Sequence, residues 1–203
     1  KKDKHESVIF RRDNSYYEKL NGVERCIDDE IPFDIPKSWE WIRHNEIFEI
    51  SGGSQPPKSK FITEKKDGYV RLYQIRDYGS NPVPVYIPAN TATKTTHKGD
   101  ILLARYGASL GKVFIAEDGA YNVAMAKVIP LFSGTWIIRD FMLIYYQSEL
   151  YQSVIHKNSR SAQAGFNKED LSTMLIPIPP VSEQKRIVKM ANTLISLTGR
   201  LRD

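Results

Sequence analysis

The chain has 203 residues, 41% hydrophobic and 26% charged, with a formal net charge of +5. That balance excludes a disordered chain, and no apolar run approaches the roughly 20 residues that would span a bilayer. The single cysteine, Cys26, excludes an internal disulfide and a thiolate metal centre, so a cytoplasmic home is the default expectation. The mild basic excess favours a polyanionic partner, because cations that neutralise phosphates release counterions.

The opening Lys1-Lys2-Asp3-Lys4-His5-Glu6 is charged and has no apolar stretch of the signal-peptide kind. The missing initiator Met points to a fragment or a processed piece. Residues 1–30 read as a charged lead-in segment, with an apolar patch at Val8-Ile9-Phe10 and a Tyr16-Tyr17 pair suited to packing on a neighbour. Pro32 and Pro36 each push the preceding residue towards an extended conformation, so residues 31–36 are not helical. Trp39 to Ile42 suits a short strand or a helical turn, and Ile47 to Ile50 a strand stopped by Ser51-Gly52-Gly53. Pro56-Pro57 makes Ser54 to Ser59 a loop.

Apolar–polar alternation from Tyr69 to Ile75 predicts a strand, and Val85 to Ile87 a further extended stretch after a turn-rich loop. Thr91 to Thr96 is a polar loop carrying Lys94. Ile101 to Arg105 and Lys112 to Ala116 flank Gly107-Ala108-Ser109-Leu110-Gly111 as a β-hairpin with a glycine-punctuated loop. Ala124 to Phe132 supplies another strand. One helix is expected from about Arg139 to Lys157, where Phe141, Ile144, Tyr145, Ser148, Tyr151, Val154 and Ile155 recur at helical spacing. A small polar loop spans Asn158 to Asn167, and Asp170 to Ile176 opens on a helical turn. A second helix starts after Pro180 with Ser182 as N-cap and Glu183 near its positive end, and an apolar stripe of Ile187, Ala191, Leu194 and Leu201 runs along it.

Catalytic motifs are absent. Gly107 to Lys112 puts three residues between its glycines and Val113 after its Lys, where a Walker loop needs four and a Ser or Thr that reaches magnesium. His5, His44, His97 and His156 are scattered without metal-ligand spacing, and no G-x-S-x-G elbow occurs. Asn81-Pro82-Val83-Pro84 lacks the adjacent prolines and aromatic of an adenine-methyltransferase motif and reads as a turn. The informative feature is instead a set of basic, amide and hydroxyl residues in polar loops around a β-rich body, where recognition commonly sits. Lys58, Lys60, Lys94 and Lys112 suit phosphates. Gln55, Arg76, Arg105, Arg160 and Gln163 suit base edges, and Tyr106 suits a sugar or a thymine methyl. Ser109 completes the candidate DNA-binding set. No metal or cofactor site is expected in the chain.

Several segments in order resemble the DNA-specificity subunit of type I restriction–modification systems. They are Ile35-Pro36-Lys37-Ser38-Trp39-Glu40-Trp41, Gly52-Gly53, Gly99-Asp100-Ile101-Leu102-Leu103-Ala104 with Arg105 to Lys112, and Ile176-Pro177-Ile178-Pro179-Pro180-Val181-Ser182-Glu183-Gln184-Lys185-Arg186-Ile187-Val188. The resemblance implies an α+β fold: a β-rich target-recognition domain over residues 31–180, then a long amphipathic, coiled-coil-forming spacer helix over 181–203. It implies a non-catalytic specificity subunit of bacterial defence that reads one half of a bipartite duplex DNA site. Methyltransferase subunits using S-adenosylmethionine and an ATP- and Mg-dependent restriction and translocase subunit are its implied partners, and the helix stripe its implied subunit interface. One domain and one helix make half of a usual subunit, so the chain is a truncated piece or a half-length subunit that pairs with itself or with a second recognition domain. Two other readings stand beside this one: the recognition portion of a single-chain restriction–methylation enzyme, and a protein-interaction domain without DNA affinity.

Overall fold

A computed structural model describes residues 7–158 and 165–200. In chain order the elements are β1 (Ser7–Arg12), β2 (Ser15–Leu20), β3 (Val23–Cys26), β4 (Glu40–Arg43), α1 (His44–Ile47), β5 (Phe48–Gly52), β6 (Tyr69–Tyr73), β7 (Tyr86–Pro88), β8 (Thr95–Thr96), β9 (Ile101–Ala104), β10 (Val113–Ile115), β11 (Gly119–Tyr121), β12 (Met125–Pro130), α2 (Arg139–Gln147), α3 (Glu149–Asn158), α4 (Lys168–Ser172), β13 (Leu175–Ile178) and α5 (Val181–Arg200). The architecture is α+β, as expected, with small sheets, few helices and a long C-terminal helix. Its described residues form two compact units. The first takes residues 7–48, 130–151 and 171–200, and the second takes 49–129, 152–158 and 165–170.

The first unit opens on an antiparallel meander, β1-β2-β3, where a charged lead-in was expected. Its turns are two residues long. Asp13 and Asn14 take φ of 51° and 67°, and Asn21 and Gly22 take 52° and 84°, the mirror-image turn that matches strand twist. Ile9 and Tyr16 face inward against Ile27, Ile35, Trp41 and Leu175. Glu18, 3% exposed, is buried with them. Arg43 donates from Nε and Nη2 to both Glu18 oxygens, at 2.9 and 2.8 Å, and from Nη1 to the Thr173 carbonyl. Arg25 also pairs with Glu18, and Glu30 pairs with Arg25 and Arg43. β4 pairs antiparallel with β13, so residues about 130 apart in sequence close this unit.

Where one helix was expected, α2 and α3 are separate. Ser148 breaks them with an extended ψ of 157°, its amide and its hydroxyl both donating to the Tyr145 carbonyl, while its own carbonyl accepts from Tyr151. Tyr145, Tyr146 and Tyr151 cluster edge-on, and His44 shares a hydrogen bond with the Tyr146 hydroxyl. Ser182 is not the cap of α5 either. The Pro180 carbonyl receives the Glu183 and Gln184 amides, so the helix begins before Ser182.

The second unit holds two four-stranded sheets, ordered β10-β9-β12-β5 and β7-β6-β11-β8. The expected hairpin is present: β9 pairs antiparallel with β10, with Leu103 opposite Val113. β6 and β11 pair in parallel, Leu72 beside Ala120 and Tyr73 beside Tyr121. Leu72, Val85, Ile87 and Ala120 form one core cluster, and Leu102, Ala116, Tyr121 and Met125 another. Among the described residues, no helix is long and apolar enough to cross a membrane.

Candidate nucleic-acid interface

The nine described candidate residues for DNA contact all belong to the second unit. The structure brings three of them to one place, the end of β5. There Gly53 donates to the Met125 carbonyl, and Ser54 donates to the Tyr121 carbonyl and bridges to Asn122. The approach is so close that a Cβ on Gly53 would stand 2.0 Å from the Asn122 carbonyl oxygen. Over the neighbouring Gly52 lies the Arg105 guanidinium, which a Cβ there would meet at 2.8 Å. Lys94 reaches the same strand end, its Nζ donating to the Ser51 Oγ at 3.0 Å. The Tyr121 hydroxyl donates to the Ser51 carbonyl and holds that edge from below.

Arg105 leaves β9 with its amide bonded to the Ala124 carbonyl, and its guanidinium stands 5.0 Å from the centre of the Tyr106 ring. Tyr106 is an exposed aromatic that bridges to Gly165, and the Arg105 carbonyl accepts from Phe166. A Cβ on Gly165 would collide with the Tyr106 ring, so glycine is what lets the two segments pass. Arg160 and Gln163, just ahead of Gly165, lie outside the described residues.

The other candidates sit apart from this cluster. Lys58 and Lys60 are exposed on a one-turn helix, Lys58–Lys60, whose neighbour Phe61 packs into the core. Gln55 is exposed just before the buried Pro56. Arg76 is exposed on a second one-turn helix, Ile75–Tyr78, fixed by reciprocal bonds between Gln74 and Asp77. Ser109 and Lys112 lie on the hairpin loop, with the Lys112 amide on the Ser109 carbonyl. The left-handed Gly111 there takes a hydrogen bond from Gln152.

Among the described residues, none of Lys58, Lys60, Arg76, Lys94, Arg105 and Lys112 is in an ion pair with a carboxylate. By contrast, Arg71 is held by Asp77, and Lys127 by Asp100. A cation without an internal counter-charge keeps its full attraction for phosphate. No group of three His, Cys, Asp or Glu side chains suited to a metal ion occurs among the described residues.

Two features escaped the reading of the sequence. Asn122 is the backbone node of the cluster: its amide bonds Tyr73, its carbonyl abuts Gly53 and it bridges Ser54. No local pattern marks it. On α5, Ile187 and Ala191 are partly buried, whereas Met190, Leu194 and Leu197 are 58%, 56% and 50% exposed. These three recur at i, i+4 and i+7, the spacing of a coiled-coil seam, which the sequence does display. Leu201 lies outside the described residues.

The profile of the type I restriction modification DNA specificity domain matches residues 36–202. The chain is 21% identical to the type I restriction enzyme MjaVIII specificity subunit of Methanocaldococcus jannaschii over 168 residues, covering 82% of this chain and 38% of that protein. It is 24% identical to the EcoAI specificity subunit of Escherichia coli over 191 residues, covering 86% and 31%. The crystal structure of the HsdS subunit from Thermoanaerobacter tengcongensis superposes with a TM-score of 0.67 at 25% identity, over 84% of this chain and 41% of that one. The chain thus spans less than half the length of each of these relatives. With the matched profile reaching across both units, and with the solved subunit sharing their arrangement of strands and helices, the chain belongs to the type I restriction modification DNA specificity domain family.

Proposed function

We propose that this chain is a non-catalytic specificity module that reads one half of a bipartite duplex DNA site and directs methyltransferase and restriction subunits to it in the cytoplasm. Residues 31–180 form the recognition domain in this reading, and residues 181–203 the spacer helix. The observation that carries it is the convergence of Lys94, Arg105 and Tyr106 on the end of β5, with cations that have no carboxylate partner among the described residues. Arg105 is the best candidate for a guanine edge, because its planar fork can bond two acceptors at once. The seam of Met190, Leu194 and Leu197 would take a second helix, from another copy or from a second recognition domain. Docked modification subunits would supply S-adenosylmethionine chemistry, and the restriction subunit ATP and Mg chemistry.

Binding selection from a random duplex pool, with and without the methyltransferase subunit, tests the reading. Arg105→Ala is expected to cost about 1–3 kcal/mol of specific binding and to relax choice at one base pair. Lys112→Ala is expected to weaken all sequences alike and to lower the slope of log K against log salt by about one. Unchanged specific and non-specific binding in both variants would remove both the β5 cluster and the hairpin loop from the DNA.

A further inference from the structure

The first turn of α5 is fastened on two sides within the first unit. Gln184 is completely buried, and its amide is used at every position the site offers. Its Oε1 accepts from the Ile138 amide, and its Nε2 donates to the Trp136 and Pro179 carbonyls, all at 2.8 Å. Beside it, Glu183 accepts from the Trp39 indole at 2.9 Å through one oxygen and from Arg186 through the other. These bonds keep the Glu183 carboxyl below its usual range, the Trp39 bond contributing most. The helix base is therefore tied to the turn ahead of α2 and to the stretch ahead of β4. Further along, α5 is mostly exposed, at Met190, Leu194 and Leu197.

We propose that Gln184, supported by Glu183 and Trp39, is the positioning residue that fixes the direction in which α5 leaves the first unit. Apolar contacts tolerate sliding, whereas hydrogen bonds weaken steeply as their angles open. Two bonds from one planar amide to the 136–138 segment, with the third holding the helix's own lead-in at Pro179, fix the helix base against both rotation and tilt. An apolar side chain of similar volume would fill the same space without defining an angle, and would leave the Ile138 amide and two carbonyls without their partner. Carried through the proposed function, on which this consequence rests, the direction of α5 sets how far apart two recognition domains stand. Gln184 would then govern the half-site spacing that a paired assembly accepts, without touching DNA.

The test uses the full chain and one native handle. Cys26 is the only cysteine and is exposed, and Ser196 is exposed on α5, so nitroxide labels on Cys26 and on Ser196→Cys report one distance within the first unit. Double electron–electron resonance should give a single narrow distribution in the otherwise native protein. Gln184→Leu should broaden or split it while far-ultraviolet circular dichroism retains the helix. Lys185→Ala, exposed on the same turn, should leave it unchanged. Trp39→Phe, which removes one bond and only part of a half-buried side chain, should broaden it to a smaller degree and keeps the test decisive if Gln184→Leu does not fold. A folded Gln184→Leu or Trp39→Phe with the native distribution would overturn the proposal. This readout needs no DNA, so it stands or falls separately from the recognition reading. Where the native protein does bind paired half-sites, Gln184→Leu should lose its preference among spacer lengths while binding to a single half-site is kept.

Discussion

Gly53→Ala is expected to destabilise the second unit by about 3 kcal/mol or more, the upper range for forcing volume into a packed interior. The added methyl would stand 2.0 Å from the Asn122 carbonyl oxygen, 2.5 Å from its carbon and 2.7 Å from the Tyr121 carbonyl oxygen. All three are backbone atoms, so no rotamer change relieves the clash. The end of β5 and the start of the segment after β11 would have to separate. That would break the bonds from Gly53 to Met125 and from Ser54 to Tyr121. Because Lys94 and Arg105 are arranged around the same strand end, DNA binding should fall with the fold. Gly79→Ala is the control. Its methyl would meet only the Arg76 carbonyl oxygen at 3.4 Å, and Gly79 does not take a left-handed φ. That variant should stay within about 0.5 kcal/mol of the native chain in urea unfolding. Equal midpoints for the two variants would show that β5 does not approach Asn122 in this way.

Acid should undo the first unit in two steps, and Glu18→Ala should cost about 3–5 kcal/mol at neutral pH, because it strips buried Arg43 of its main counter-charge. The Arg43 hydrogen bonds, helped by Ser7 and Arg25 and opposed by burial, hold the Glu18 carboxyl at about 2, against 4.5 when unperturbed. A lowered carboxyl gives stability that is complete above 4.5 and disappears as pH falls towards 2, about 3 kcal/mol in all. His44 acts at higher pH. Burial lowers it from 6.5 to about 4, so the folded state holds it neutral while the unfolded chain takes up a proton. Stability is therefore lost as pH falls from 6.5 to 4, again by about 3 kcal/mol, and then levels off for this group. Urea unfolding measured from pH 7 to pH 2 should show both windows. Glu18→Gln should keep the upper window and make the lower one shallower, leaving the part that comes from Asp28, Glu30 and Glu183, which are also held below their usual range. A lower window of undiminished depth in Glu18→Gln would place the main acid-labile carboxylate elsewhere.

The architecture was legible wherever local pattern decides it. The β9–β10 hairpin carries two short continuous apolar runs around a glycine-punctuated loop, and the extended β13 holds Pro177 and is followed by Pro179-Pro180. The α2–α3 break at Ser148 was not legible, because the apolar spacing runs on through that single residue and only its backbone conformation departs from the helix. The β1-β2-β3 meander was hidden by its own chemistry. Arg12, Lys19 and Glu24 crowd its outer positions and make it resemble a tail, although Asn21-Gly22 stands at the hairpin turn. The parallel pairing of β6 with β11 joins residues nearly fifty positions apart, and no window of sequence reports it. Of the candidate site, the residue types could be named from their loops. The proximity of Lys94 to Arg105 could not be, because it comes from two glycines that let one strand end slip between their neighbours.

The order of the segments has a consequence for how the protein is made. The first unit is discontinuous, with the second unit's residues 49–129 and 152–170 nested between its parts. During synthesis β4 emerges long before β13, its pairing partner, and the ribosome delivers all of the nested residues in between. As a floppy tether that stretch would tax the late pairing through loop-closure entropy, whereas once folded it brings its own two ends to fixed positions. Vectorial production thus favours a hierarchy in which the inner unit matures first and the outer one is zipped shut afterwards by the last strand and helix. Nascent chains released before residue 171 should therefore protect the inner unit from protease while β4 stays open to attack.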